Sequence, residues 1–327
     1  MIEVFNLNQE FLKLISKEVR RDQLPYHEYK FLETQQLKEY FINKVSPTAV
    51  IKDHFSLVAF NGSKLLGFIS AAKDEFDSEN FGFACFRVTN LLIFTSEPIE
   101  ANITISGLIN ELERKIIELY RPVYFSYSLN NNVNDQDIIF NSLTGLKYHY
   151  IHTLLTFGSK GERFEQLKSK ELVIRKVNIA DAEAIAKLAQ KSFSYSRFHL
   201  DPHLDNQKAN ILLSKSAINS VLDGFVDVMF VAEIKGKIAG YYSAKKKYIQ
   251  EFELVIGDAV ISAVGSEYQG KGIFSELDTH LLNWFSDNVN IAEMGTYLIN
   301  YPVHRTWIKK GLRLVRGSHQ FSKLVEN

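Results

Sequence analysis

Residues 263–285, AVGSEYQGKGIFSELDTHLLNWF, constrain the chain more than any other stretch. The apolar end of a strand pattern passes through Gly265, Gly270 and Gly272 into a run with apolar residues at helical spacing. Glycine adopts positive φ at no steric cost, so the backbone can turn sharply here from strand to helix. A helix starting near Gly272 presents main-chain N–H groups that lack intrahelical acceptors, together with the positive end of its dipole. That combination predicts a site for a phosphate-bearing ligand, beside the plainer expectation of a tight turn. Two other phosphate cradles do not match. A Walker loop needs Ser or Thr where Gly272 follows Lys271, and a dinucleotide fingerprint needs a third glycine where Ser275 stands.

The chain around this loop has 327 residues, enough for two domains, and 46% hydrophobic residues, enough for packed cores. Lys plus Arg and Asp plus Glu both number 38, so no global field draws it to nucleic acid or to an acidic membrane. The single cysteine, Cys85, cannot form an internal disulfide, and MIEVFNLNQEF lacks the pattern of a signal peptide. A cytoplasmic protein is expected. No run approaches the roughly 20 apolar residues of a membrane span.

Periodicity over the second half predicts a strand at 172–177, helices at 179–193 and 205–222, and a hairpin of VMFVAEI and IAGYYSA turning at Gly236. A strand at 252–264, the glycine loop and its helix, the strand IAEMGTYLI, a helix at 302–310 and a last strand in LRLVRGSHQFSKLV follow. The first half repeats this order more faintly. SLVAF and LLGFISAA form a hairpin, followed by strand FACFRVTNLLIF, helix SGLINELERKIIELY, strand VYFSYSL, a helix at 134–143 and strand HTLLTF. The polar stretch FGSKGERFEQLKSK (157–170) suggests domains at 1–160 and 171–327.

The loop YQGKGIF, followed by an amphipathic helix, a strand and NYPVHRTWIKKGL with Asn300 eleven residues before Gly311, resembles the acetyl-coenzyme A site of the GCN5-related N-acetyltransferases. The resemblance covers about 150 residues and implies an α/β fold of the α+β kind. Its core would be a mixed, mostly antiparallel central sheet flanked by helices, with a degenerate copy of the same fold as the amino-terminal domain. It implies acetyl-CoA as co-substrate, no metal, and cofactor contacts from Ala263, Val264, Gln269, Gly270, Lys271, Gly272, Ile273, Phe274 and Asn300. Phe274 departs from the small residue that the pattern carries there. In such folds a bulge splays the strand ending at Val264 from its neighbour, and the pantetheine arm inserts like another strand. The Val264 N–H would then polarise the thioester carbonyl.

Amide formation needs a neutral amine, hence a proton acceptor. Glu253 and Asp258, on the strand approaching the site, are candidates, although five residues apart they face opposite sides of a regular strand. Where relatives place a tyrosine acid this chain has Trp307, whose indole can donate a hydrogen bond but is no practical acid; Tyr301 and His304 stand nearby as substitutes. Tyr195, Arg197 and Asp201 fall where such enzymes meet the acceptor, and a guanidinium suits a sugar-nucleotide phosphate, with an Arg197–Asp201 ion pair as the structural alternative. His199 and His203 lack a third ligand for a metal. SFSYSRFHLDPHL, GKIAGYYS and DSENFG narrow the resemblance to members acting on nucleotide-linked amino sugars, such as TDP-4-amino-4,6-dideoxyhexoses. Another small amine, a protein amino group, or acyl-CoA binding without catalysis are the alternatives, and a homodimer is left open.

Overall fold

The structure, a computed structural model, describes residues 2–46, 53–166, 171–192 and 196–326. The chain divides into two compact units: Met1–Thr153 with Arg316–Asn327, and Leu154–Val315.

The first unit runs β1 (Ile2–Asn6), α1 (Gln9–Glu18), α2 (Thr34–Val45), β2 (His54–Asn61), β3 (Lys64–Lys73), α3 (Glu75–Phe81), β4 (Ala84–Ile93), α4 (Pro98–Ile117), β5 (Val123–Asn130) and α5 (Gln136–Gly145). Strand β6 (His149–Ser159) leads out of it. Its strands lie in the order β1-β2-β3-β4-β5, followed by residues of the chain's last strand. Neighbours are antiparallel except β4 and β5, which run parallel. Ile105, Leu108, Leu112 and Ile116 recur at helical spacing along α4 and are fully buried against Leu57, Ile69 and Phe125. α4 begins eight residues before the expected SGLINELERK start, because Pro98 at its first position has φ preset and needs no N–H partner. α1, α2 and α3 are additional to the elements expected from the sequence.

The second unit continues with β7 (Leu172–Lys176), α6 (Ala182–Ser192), α7 (Arg197–Leu200), α8 (Asn206–Leu222), β8 (Val228–Ile234), β9 (Lys237–Ile249) and β10 (Leu254–Val264). It closes with α9 (Ile273–Asn288), β11 (Ile291–Tyr297), α10 (Tyr301–Lys309) and the start of β12 (Arg313–Val325). Its strand order is β6-β11-β10-β9-β8-β7, antiparallel apart from the β10–β11 pair. Alternation along β8 divides its core. Phe230 and Ala232 pack with Leu277, Leu281 and Phe285 of α9, whereas Met229 and Val231 pack with Ile185, Ala189 and Ala217 of α6 and α8.

The boundary differs from the expected 1–160 and 171–327. Arg316–Asn327 belongs to the first unit and Leu154 onward to the second. Ser318–Val325 of β12 pairs antiparallel with Val123–Asn130 of β5, and Leu154–Ser159 of β6 pairs with β11. Each half therefore takes its last strand from the other's end of the chain, a long-range pairing that local composition does not signal. Among the described residues no helix is long and apolar enough to cross a membrane.

Candidate active site

Strands β10 and β11 pair in parallel only over Ile256–Asp258 and Ile291–Glu293. Beyond Asp258 they part: Met294–Tyr297 goes on pairing with β6, while Ser262–Val264 pairs with β9. The β9–β10 register slips between Ala259 and Ser262, a bulge that increases twist and re-aims the strand. Buried Ser243 sits at the slip, its hydroxyl donating to Ile261 O at 3.2 Å and lying 3.3 Å from Ile261 N. Gly240 faces Val264, and a Cβ there would lie 2.9 Å from Ala263 O, so this register needs glycine. The outcome is a wedge between two parallel strand ends, as expected for the strand ending at Val264.

The glycine loop follows this strand. Gly270 and Gly272 have φ of 74° and 77°, and a Cβ on either would meet open space, so backbone conformation alone selects glycine here. Gly272 is the N-cap of α9 and provides no side-chain cap, so the helix's first N–H groups lack the acceptor a capping side chain would supply. Lys271 Nζ donates to Glu267 O and lies 5.6 Å from the Tyr268 ring. Exposed Gln269 reaches back to Val264 O at 3.5 Å. Ile273 is buried, and Phe274 packs beside Tyr242 with ring centroids 5.7 Å apart, so its bulk is absorbed by the sheet face. Asn300 stands at the N-cap position of α10, its side chain donating to Thr296 Oγ1 at 2.9 Å rather than capping the helix.

The acid–base candidates separate. Glu253 is exposed, in a left-handed turn before β10 begins. Eleven residues of strand, at about 3.3 Å each, put it more than about 30 Å from Val264, which removes it from the reaction. Asp258 lies at the apex of the wedge, opposite Glu293. Trp307 is corrected too: it is buried, and its Nε1 donates to Asp278 Oδ1 at 3.0 Å, so no proton-donating edge remains for a thiolate. Tyr301 is 62% exposed at the first position of α10. His304, one turn on, is buried, with a ring centroid 5.7 Å from that of Phe157. Its ring bonds the Tyr297 main chain, burial lowers its pKa below the usual 6.5, and its Nε2 has no hydrogen-bond partner among the described residues. A buried acceptor left bare costs about 1–3 kcal/mol, so this nitrogen is suited to take a partner.

On the acceptor side, Arg197 opens α7 with its N–H donating to Tyr297 Oη at 3.1 Å and its guanidinium 4.1 Å from the Phe198 ring. Asp201 is buried and accepts from His203 N at 3.0 Å. His199 has both ring nitrogens engaged, with Ser196 Oγ and Asn210 Oδ1. Tyr195 lies outside the described residues.

Sequence reasoning passed over Asp278. It is fully buried, held by Trp307 and by Lys310 Nζ at 3.0 Å, and Lys310 also donates to Ser275 O and Thr279 Oγ1. Burial pushes its carboxyl pKa up, against the pull of Lys310 and Trp307. This group ties α9 to α10 behind the loop. Its signal was a carboxylate on the same helical stripe as Phe274, Leu277, Leu281 and Phe285.

A mostly antiparallel sheet, a bulged strand splayed from its parallel neighbour, and a glycine turn into a helix together give the chain the fold of the GCN5-related N-acetyltransferases. A GCN5-related N-acetyltransferase from Sphaerobacter thermophilus superposes with a TM-score of 0.65 over 100% of this chain and 96% of its own, at 9% identity. A tandem protein of this fold from the clavulanic acid biosynthesis pathway gives 0.57, covering 99% and 98%, at 12% identity. In sequence, the chain is 32% identical over 132 residues to the spore coat polysaccharide biosynthesis protein SpsD of Bacillus subtilis (strain 168), a match spanning 40% of this chain and 43% of that relative. No family model matches.

Proposed function

We propose that the protein is an N-acetyltransferase that moves the acetyl group of acetyl-CoA to the amino group of a nucleotide-linked amino sugar, of the TDP-4-amino-4,6-dideoxyhexose type. The observation that carries this is the wedge between β10 and β11 with an uncapped helix end and two positive-φ glycines at its mouth. The residues fit an acyl carrier: main-chain donors of the Gly270–Ser275 segment for the diphosphate, and strand edges at Ala263, Val264 and Thr296–Tyr297 for the amide-bearing arm. Acetyl-CoA, when bound, supplies the activated acyl group as a thioester.

In this mechanism the acceptor nitrogen forms a bond to the acetyl carbonyl carbon and the C–S bond breaks. The Val264 N–H stabilises the developing oxyanion. His304 Nε2 takes the amine proton, directly or through water, since it holds a lone pair at neutral pH and has no partner among the described residues. The departing thiolate takes a proton from Tyr301 or from solvent. Arg197 offers a planar donor fork to the nucleotide phosphate. The sugar acceptor is supported by the likeness to SpsD, whose name places that protein in polysaccharide biosynthesis, and by the resemblance of SFSYSRFHLDPHL, GKIAGYYS and DSENFG to enzymes acting on nucleotide-linked amino sugars. Trp307, in place of tyrosine, favours a second reading, an acyl-CoA-binding protein without catalysis.

Free-thiol release tests the two readings. Acetyl-CoA with a TDP-linked 4-amino sugar is expected to release one thiol per acetamide formed, with none released when the sugar is omitted. Binding of acetyl-CoA without thiol release on any amine would leave the second reading, and no calorimetric heat with coenzyme A at millimolar concentration would remove both.

A further inference from the structure

We infer that the first unit carries a closed copy of the acyl-carrier wedge, sealed by its own side chains, so that each chain binds a single acyl-CoA. This rests on the proposed reading of the second unit. The two hairpins match position by position. Gly67 faces Ile93 as Gly240 faces Val264, and a Cβ on Gly67 would lie 3.0 Å from Leu92 O. Three residues on, buried Ser70 sits at a register slip and bonds Thr89 Oγ1 at 2.8 Å, as Ser243 bonds Ile261. β4 and β5 then part: their parallel pairing ends at Val88 and Tyr127.

The mouth of this second wedge is filled. Ile93 O, the counterpart of Val264 O, accepts from Arg20 Nη1 at 3.1 Å and from Gln23 Nε2 at 2.8 Å. The same two side chains reach across to Asp135 Oδ2, at 2.5 Å and 3.2 Å, at the N-cap of α5. Asp22 braces the bridge by accepting from Asn134 N at 3.0 Å and from Arg20 Nε at 3.2 Å. The Gln23 carboxamide thus presents to Ile93 the donor that a pantetheine amide would offer to Val264. The helix end is closed as well. Pro98 removes one N–H, and Glu100, in the first turn, accepts from Thr95 Oγ1 at 2.6 Å and pairs with Lys64. A diphosphate at this helix end would meet the Glu100 carboxylate.

Calorimetry with coenzyme A on the full chain is expected to give one site, and hydrogen exchange should show protection on binding at 262–276 with none at 89–99. The double variant R20A/Q23A should exchange at least tenfold faster at 89–95 and 131–136 while keeping one site of unchanged affinity, and Q23A alone should do so more weakly. Two sites in the unaltered chain, protection at 89–99, or unchanged exchange in both variants would overturn the inference. If coenzyme A does not bind at all, the reading of the second unit fails, and the exchange comparison still decides whether the bridge closes the wedge.

Discussion

Single side chains decide how the candidate site handles protons. Burial lowers the pKa of His304, and also of His54 and His319, so the unfolded chain binds more protons than the folded one as pH drops through about 6.5. Stability should therefore be greatest above about pH 6.5 and fall on acidification, and H304Q should flatten part of that slope in urea melts at pH 5 and pH 8. In turnover, H304Q is expected to lower kcat about 10²-fold or more and to remove the acid limb of the pH profile, as for a lost proton acceptor. W307F leaves Asp278 with one donor fewer in a dry environment, at a cost of about 1–3 kcal/mol in denaturant unfolding. Its effect on chemistry should be smaller than that of H304Q, because the indole faces α9. At this scale the sequence was partly legible. It marked Trp307 as a departure and His304 as a substitute acid, but a residue's facing direction depends on what packs around it, and the bond to Asp278 spans two elements.

At the level of elements, the loop and its strand carry the most specific expectations. An L-residue at φ near 75° costs about 1–2 kcal/mol, so G270A and G272A should each raise the KM for acetyl-CoA several-fold while leaving secondary structure intact by circular dichroism. G257A acts otherwise: its Cβ would lie 2.5 Å from Phe285 and 2.9 Å from Val289, overpacking the β10–α9 contact by about 1–3 kcal/mol. A thermal melt lowered without a selective rise in KM would check it. Strand and helix order in the second unit was readable because β8 and β9 carry short continuous apolar runs either side of a glycine turn, and apolar residues recur at about 3.6-residue spacing along α6 and α9. The wedge was not readable from periodicity, since the slip at Ala259–Ser262 and the end of pairing at Asp258 are properties of neighbouring strands. It entered through the resemblance in the loop.

For the molecule as a whole, the exchange of terminal strands matters most. Removing residues 316–327 would strip β5 of its Val123–Asn130 ladder, uncover Phe321's place in the core, and leave buried Glu113 without Lys323, which donates to both its oxygens. Breaking such a buried pair from one side costs about 3–5 kcal/mol. Limited proteolysis of a chain ending at Val315 is expected to cut first within residues 1–153, with 154–315 more resistant. The sequence by itself determined the two α/β patterns, the glycine turn into a helix and the balanced charge, because each depends on residues close along the chain. Only the tertiary structure decided which half each last strand completes, that Trp307 turns to Asp278, and that the first unit's wedge is bridged by Arg20 and Gln23. Those outcomes depend on contacts between residues tens to hundreds of positions apart, which local periodicity does not encode.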